Sequence, residues 1–307
     1  MFKIFSIIVT YNGAAWIEKC LQDLFASDTA TNVIVIDNAS TDNTLQLLNS
    51  YKNIHLVKNE KNLGFGQANN IGIELAMNQG ADFIFLLNQD AFVFKNTISV
   101  LVDALKSNAR FGLLSPLQLG VNAKEIEPVF KNFLRRNFSE KMIDLMLSTP
   151  ADFDKNKPYQ MRFVNAAAWM MSRECIIKTG LFHPVFFHYG EDNHYASRVQ
   201  FHGMKIGVLP AARVIHDNRN EVANSYDLLV RKIKNVPLYT LLDLRKPFVV
   251  AYLLAYLKWK RLAKKLLKFN EPQAVDIIEQ QKKWFTSDFK KARKIRNETK
   301  NIVSKWN

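Results

Sequence analysis

The sequence has 307 residues, 48% of them hydrophobic, which supports a sizeable core and argues against a disordered chain. Its two cysteines, Cys20 and Cys175, form neither a metal-ligand pattern nor a disulfide framework, which indicates a reducing compartment such as the cytoplasm. The apolar stretch at residues 4–10 lacks the length and the cleavage site of a signal peptide, so it is predicted to be a strand.

The formal net charge of +14 is concentrated near the C-terminus. Residues 256–307 contain 15 basic and 5 acidic residues, a net charge of +10, so residues 1–255 carry only +4. Such a basic segment attracts nucleic acid non-specifically. Its cations alternate with Leu, Ala and Trp in a helical pattern, and the sequence contains no known nucleic-acid-binding module. A nucleic-acid-binding protein is therefore an alternative hypothesis, and no specific nucleic-acid partner is expected.

The first third of the chain alternates between strand-like and helix-like stretches. Strands are predicted at residues 4–10, 33–37, 54–58 and 83–87, and helices at 14–25, 66–78 and 97–107, with a further helix start at 41–42. Alternation of this kind indicates an α/β fold with a mainly parallel sheet and helices on both of its faces.

The middle of the chain is less regular. Residues 121–160 are polar, with a helical patch near 130–147, and a strand is predicted at 161–171. Helices at 173–179 and 193–201 precede a strand at 205–209 that leads to His216. We expect one domain over residues 1–225, followed by a helical extension over residues 226–307.

The extension contains an apolar run at residues 247–257, which is about half the ~20 residues that a membrane-spanning helix needs. It continues directly into Lys258-Trp259-Lys260-Arg261. Apolar helices with aromatic and basic flanks are typical of segments that lie on an anionic membrane surface. The same helices are also compatible with pairing of two subunits in a homo-oligomer.

Polar residues follow each of the first four predicted strands, and ligands bind beyond the carboxyl ends of strands in open α/β sheets. These residues are Thr10, Tyr11 and Asn12; Asp37; Asn62, Gly64, Gly66 and Asn69; and Asn88, Gln89 and Asp90. A structural interpretation remains open for two of the groups. Residues 37–42 also suit a helix cap, and the glycines also suit a tight turn.

Together these motifs resemble the family 2 glycosyltransferases, and most of all a rhamnosyltransferase-like group. The resemblance is carried by Val-Thr-Tyr-Asn at 9–12, Val-Ile-Asp-Asn-Ala-Ser-Thr-Asp at 35–42, Asn-Leu-Gly-Phe-Gly at 62–66, Leu-Leu-Asn-Gln-Asp at 86–90 and a Glu-Asp pair at 191–192. It implies a GT-A fold, a dTDP- or UDP-sugar donor and an inverting displacement. The polar residues after the first three strands, with Asn88 and Gln89, would hold the nucleotide.

The resemblance also implies roles for particular acids. Asp90 matches the last carboxylate of the family's Asp-x-Asp motif, which binds Mn²⁺ or Mg²⁺, and His216 matches a distal metal ligand. This sequence departs from the motif at Asn88, and the missing carboxylate should weaken metal affinity. Asp192 matches the catalytic base, with Glu191 beside it, and we expect this pair and His216 to converge with Asp90 on one crevice. His216 also suits a purely structural histidine, and the acidic pair also suits a helix start.

Two further residues are expected near the substrates. Trp169 would shape the floor for donor and acceptor, although a buried core tryptophan is the alternative. Arg198 would reach a phosphate or brace Glu191. The expected acceptor is a glycan or a lipid-linked glycan at the cytoplasmic face of the membrane. A catalytically silent nucleotide-sugar-binding scaffold is the remaining alternative, favoured by Asn88 and opposed by the acidic pair.

Overall fold

The structure is a computed structural model that describes residues 2–217, 224–302, 305 and 306. Its N-terminal half alternates strands and helices: β1 (Ile4–Thr10), α1 (Ile17–Phe25), β2 (Asn32–Asp37), α2 (Thr44–Leu48), β3 (Ile54–Lys58), α3 (Phe65–Asn78), β4 (Phe83–Asn88), β5 (Ala91–Val93), α4 (Thr97–Ser107) and β6 (Phe111–Leu119). There follow α5 (Pro128–Arg135), α6 (Glu140–Ser148), β7 (Tyr159–Met161), β8 (Ala168–Ser172), α7 (Arg173–Thr179), α8 (Glu191–Phe201) and β9 (Lys205–His216). The C-terminal part is helical: α9 (Ser225–Leu241), α10 (Phe248–Leu266), α11 (Gln273–Lys282) and α12 (Phe289–Lys300).

All nine strands belong to one sheet with the order β3-β2-β1-β4-β8-β6-β9-β5, and β7 pairs with β9. The β3-β2-β1-β4 portion is parallel, as is the β6–β9 pair, while β8, β5 and β7 pair with antiparallel neighbours. Thr10 is in register with Asp37, and Val9 with Asn88. The polar residues that end these strands therefore meet at one edge of the sheet.

The strands β1, β2 and β4 are buried on both faces, as their continuous apolar sequences predict. Successive side chains of a strand point to opposite faces, and β1 illustrates the result. Phe5 and Ile7 enter one hydrophobic cluster, whereas Ile4 and Ile8 enter another. The α/β fold class and the first four strands are as predicted.

The apolar stretch at 161–171 differs from its prediction because it serves two places in the sheet. β7 ends at Met161 on the outer side of β9, while β8 begins at Ala168 and lies between β4 and β6. Local periodicity cannot reveal such a change of partner. The strand predicted at 205–209 extends to His216, and the helix predicted at 193–201 begins at Glu191, directly after Gly190 with φ of 92°.

The C-terminal helices pack around a third hydrophobic cluster, whose largest members include Trp259 and Phe285. Phe186 is the one buried member of this cluster that comes from before Ser225 among the described residues. Helix α10 buries its small side chains Ala251 and Ala255 and leaves a stripe of large apolar side chains exposed. None of the helices within the described ranges is both long and apolar enough to cross a membrane.

Candidate active site

A cavity of about 490 Å³ opens at the carboxyl ends of β1 and β4. Seven predicted residues line it: Tyr11, Asn12, Asn62, Gly64, Asn88, Gln89 and Asp90. Seven residues that were not singled out from the sequence complete it: Val9, Trp16, Asn38, Phe65, Phe187, His188 and Asp217. The lining is therefore rich in amide and aromatic side chains, with carboxylates at Asp90 and Asp217.

Gln89 fixes the end of β1 to the end of β4. Its Oε1 accepts hydrogen bonds from the Thr10 hydroxyl at 2.6 Å and from the Tyr11 N–H at 3.0 Å. Its Nε2 donates to the Tyr11 carbonyl at 3.3 Å. Thr10 is fully buried and does not line the cavity, so it supports the predicted binding residues instead of joining them.

Asn38 organises the glycine loop. Its side-chain oxygen accepts from the Leu63 N–H at 2.9 Å, and its amide donates to Asn62 Oδ1 at 2.9 Å. Asn62 Oδ1 in turn accepts from the Gly64 N–H at 2.8 Å. The sequence left residues 37–42 open between ligand binding by Asp37 and turn or cap chemistry for the group. The role of Asn38 was missed because both of its main partners lie more than 20 residues away.

Gly64 is required by a close approach to a distant segment. Its φ is +79°, and a β-carbon at this position would lie 1.8 Å from the Phe187 carbonyl oxygen. This contact seats Phe187 and His188 on the cavity, where the Phe187 side chain remains 59% exposed. In the sequence, the one available signal for these two residues was their position just before the Glu-Asp pair at 191–192.

Three predicted nucleotide-binding residues lie behind the cavity wall. Asp37 is buried, with Oδ2 accepting from the Ser40 N–H at 3.1 Å, while its buried Oδ1 finds no hydrogen-bond partner among the described residues. Asn69 is buried and donates to the Phe65 carbonyl. At Gly66 a β-carbon would lie 3.0 Å from the Phe182 side chain. The Asp37 bond closes a turn at residues 37–40 before α2, and none of the three lines the cavity.

The two predicted metal ligands come together. β5 and β9 pair so that Ala91 lies opposite His216, which brings Asp90 Oδ1 to 3.6 Å from His216 Nε2. The adjacent Asp217 N–H donates to the Asp90 carbonyl at 2.9 Å. Within the part of the chain that the structure describes, no group of three His, Cys, Asp or Glu side chains is arranged to hold a metal ion.

Glu191 and Asp192 form the first turn of α8 and do not line this cavity, contrary to the expectation of one shared crevice. Asp192 Oδ1 accepts from the Asn193 backbone N–H at 2.6 Å and from its side-chain amide at 2.9 Å. Burial raises the pKa of Asp192. Burial, and then the charge of Asp192, raise the pKa of Glu191 to about 8.

The acids nevertheless lie between two cavities along the chain. Phe187 and His188 line the first cavity, and Asn193 lines a second one of about 170 Å³. The peptide that joins them turns sharply, with positive φ at both Tyr189 and Gly190. This turn leads from residues that line the first cavity to Asn193, which lines the second.

The predictions for Trp169 and Arg198 need correction. Trp169 is fully buried and stacks on Phe182, so it belongs to the core and contacts no substrate site. Arg198 is buried as well, and it donates to the carbonyls of Thr179 and Leu181 at 2.8 and 2.6 Å. It therefore secures the turn before the Glu-Asp segment. It lines neither this cavity nor the second one, and its recorded hydrogen bonds do not include Glu191.

Comparisons with known proteins agree with this architecture. The dTDP-rhamnosyl transferase RfbF of Shigella flexneri is 21% identical over 216 residues, 70% of this chain and 69% of RfbF. The rhamnosyltransferase WbbL of Escherichia coli K12 is 23% identical over 238 residues, 73% of this chain and 88% of WbbL. The chain spans only 66% and 18% of the length of two other curated relatives.

The solved mannosyltransferase PcManGT of Pyrobaculum calidifontis, in complex with GDP-Man and Mn²⁺, superposes with a TM-score of 0.57 at 15% identity. The superposition covers 97% of this chain and 86% of PcManGT, and it establishes a shared GT-A fold. The model of glycosyl transferase family 2 matches residues 6–176, which is more than half of the 307 residues. The chain therefore belongs to glycosyl transferase family 2.

Proposed function

We propose that the protein transfers a hexose or deoxyhexose from a nucleoside diphosphate to a hydroxyl group of a glycan or lipid-linked acceptor, with inversion at the anomeric carbon. The observation that carries this proposal is the 490 Å³ cavity at the strand ends, with Asp90 and His216 3.6 Å apart beside it. Its volume lies in the range of about 300–1,000 Å³ that is usual for small-molecule sites.

The cavity suits a nucleotide because it combines flat apolar surfaces with amide groups. Tyr11 and Phe187 offer exposed rings that can flank a base, and Asn12 and Asn62 offer amides for ribose and base. The absence of a side chain at Gly64 lets the Phe187 backbone approach and close one wall of the cavity. The relative RfbF, named a dTDP-rhamnosyl transferase, supports a dTDP-sugar, with a UDP-sugar as the second possibility.

Asp90 and His216 are the residues that would hold a divalent cation. A carboxylate oxygen and an imidazole nitrogen at 3.6 Å fit such a group, and the Asn88 side chain on the cavity adds an amide oxygen. With one carboxylate in this set, the protein alone would bind the ion weakly and would rely on the donor's phosphate oxygens. A bound cation would supply charge neutralisation for the departing diphosphate.

Asp192 is the proposed base. Its carboxylate accepts the proton of the acceptor hydroxyl while that oxygen forms the new bond to the anomeric carbon. The bond from this carbon to the donor diphosphate breaks, and its electron pair leaves with the diphosphate. Burial raises the pKa of both carboxyl groups, and the charge of Asp192 further raises that of Glu191, to about 8. Glu191 therefore keeps its proton at neutral pH, which leaves Asp192 as the member of the pair proposed to accept a proton.

The helical extension is proposed to lie on the cytoplasmic surface of the membrane. Helix α10 exposes Val249, Leu253 and Leu257 on one face. Basic residues follow them along the same helix: Lys260, Arg261, Lys264 and Lys265. An exposed apolar stripe followed by cations matches an anionic lipid surface better than a second copy of an equally cationic helix.

The test begins with binding of dTDP- and UDP-sugars, with and without Mn²⁺, measured by calorimetry, and continues with transfer assays. Asp192→Asn should lower the transfer rate by about 10²–10⁴-fold and leave donor affinity nearly unchanged, because the change removes a base but no donor contact. Asp144→Asn, at an exposed position of α6, is the control and should keep full activity. Turnover by Asp192→Asn at the wild-type rate would show that the base is another residue.

A further inference from the structure

The second cavity collects cations. It lies between α8, α9, α10 and the chain at 243–246, and its lining includes Arg162, Arg245, Lys246 and Lys258. Asp243 is the one acidic residue that lines it. The surplus of three positive charges in a cavity of about 170 Å³ has no counterpart in the first cavity.

Asp243 holds two of the cations in place without neutralising the group. Its buried carboxylate accepts from Arg245 Nε at 2.8 Å and from Lys246 Nζ at 2.6 Å. Lys258 Nζ donates to the Thr240 hydroxyl at 3.0 Å. Burial, and then the charge of Lys246, lower the pKa of Lys258. Like charges gathered at this cost are stabilised when an anion binds among them.

The cavity adjoins the proposed base on one side. Asn193, which lines the cavity, donates two hydrogen bonds to Asp192 Oδ1. Tyr239 also lines it, and its pKa is raised by burial and then by the charge of Asp192. An anion bound here would therefore place the atoms next to it near Asp192.

On its other side the cavity reaches the apolar stripe of α10. Leu254 lines the cavity, and it is one of the exposed large apolar side chains of this helix, together with Val250 and Leu253. A continuous path thus runs from an exposed apolar surface, through a cationic cavity, to a carboxylate base. A molecule with an apolar chain, a phosphate and a sugar hydroxyl in that order would fit this path.

We propose that the second cavity binds the phosphate group of a lipid-linked acceptor, with the lipid chain along α10 and the sugar hydroxyl directed toward Asp192. This assignment rests on the proposed function, of which it specifies the acceptor class. The recognised chemistry is a phosphate ester or diphosphate, and Arg162 and Lys258 are the cations least engaged with Asp243.

The test uses farnesyl diphosphate and farnesol in detergent micelles as probes with and without phosphate, with binding to the full chain measured by thermophoresis. The wild type should bind farnesyl diphosphate at least about tenfold more tightly than farnesol, as one or two charge-assisted hydrogen bonds require. The double variant Arg162→Gln/Lys258→Gln should lose this preference. A matched control, Lys52→Gln/Lys124→Gln, removes two charges from exposed positions outside both cavities and should keep it.

Two results would overturn the assignment. Equal affinity of the double variant and the wild type for farnesyl diphosphate would place its phosphate elsewhere, such as in the donor cavity. Equal affinity of inorganic diphosphate and farnesyl diphosphate for the wild type would indicate a site for free phosphate with no lipid component. Nucleotide-sugar binding is measured separately, and the double variant should bind the nucleotide sugar as tightly as the wild type does. A wild type that binds no nucleotide sugar would count against the proposed function, whatever the result with farnesyl diphosphate.

Discussion

The backbone of Gly64 lies so close to Phe187 that a β-carbon on the glycine would stand 1.8 Å from the Phe187 carbonyl oxygen. The contact joins the loop after β3 to the segment before α8, which are more than 120 residues apart in the sequence. One wall of the first cavity, the proposed donor site, therefore depends on a long-range contact that only glycine permits.

Gly64→Ala should destabilise the protein and weaken nucleotide binding, because the methyl group displaces Phe187 and His188 from the cavity. The matched control is Gly203→Ala, where φ is +81° but a β-carbon would meet no atom within 4 Å. A positive φ costs either alanine variant on the order of 1–3 kcal/mol, and Gly64, with ψ of 170°, lies in a region that is essentially restricted to glycine. The loss at Gly64 should exceed this range because the clash with Phe187 is added to the backbone cost. Urea unfolding and nucleotide titration give the two readouts. Equal losses for both variants would contradict the role assigned to the Phe187 contact.

Asn88→Asp should strengthen metal binding, because it adds a carboxylate two residues before Asp90, at the first position of the Asp-x-Asp motif. We expect an affinity for Mn²⁺ about tenfold higher than that of the wild type, in keeping with the size of effects at metal sites. Asp90→Asn should lower it. Electron paramagnetic resonance titration of Mn²⁺ distinguishes these cases, and Asp103→Asn on exposed α4 is the control. Unchanged Mn²⁺ affinity in both site variants would remove the metal from this site.

Glu191 should make the stability of the protein depend on pH. Its pKa is raised from 4.5 to about 8, so between these values the folded protein retains a proton that the unfolded chain releases. Stability relative to Glu191→Gln should therefore fall as the pH rises from about 4.5 to 8. Urea unfolding at several pH values measures the difference. The control Glu174→Gln, at a side chain 58% exposed, should parallel the wild type. Parallel curves for Glu191→Gln would show that Glu191 titrates normally.

The apolar stripe of α10 should bind lipid. Leu253 and Leu257 are 54% and 61% exposed, so the double change Leu253→Asp/Leu257→Asp should leave folding intact. Binding to vesicles that contain phosphatidylglycerol should fall at least about tenfold, because each leucine contributes roughly 1.5–3 kcal/mol when buried in lipid. Val275→Asp on α11 changes a side chain of similar exposure, 55%, and is the control. Sedimentation with vesicles gives the readout, and equal binding of all three proteins would contradict a role for this stripe.

The strands and helices that were predicted correctly are those whose signals lie within a short stretch of sequence. The strands β1 to β4 and the helix α7 (Arg173–Thr179) were found because apolar runs and helix starts are properties of short windows. The polar residues beyond β1 and β4 were found because parallel strands end at one edge of a sheet. Five of them line the cavity, namely Tyr11, Asn12, Asn88, Gln89 and Asp90, and so do Asn62 and Gly64 of the loop after β3.

What the sequence left out depends on contacts between distant segments. The role of Asn38 requires the loop at 59–64, and the place of Phe187 requires Gly64. Trp169 could not be separated from a substrate residue by type alone, because aromatic side chains serve both purposes. Asp192 is not among the residues that line the first cavity, and the turn before it, at Tyr189 and Gly190, has positive φ angles that no periodicity reveals.

That turn has a consequence for how two ligands influence one another. Residues 187–193 touch the Gly64 loop at one end and the cationic cavity at the other, with only a short, sharply bent peptide between. A donor that contacts Phe187 could therefore affect the position of Asp192, the residue proposed to deprotonate the acceptor. If a ligand in one cavity changes the affinity of the other cavity by some factor, a ligand in that other cavity must change the affinity of the first by the same factor.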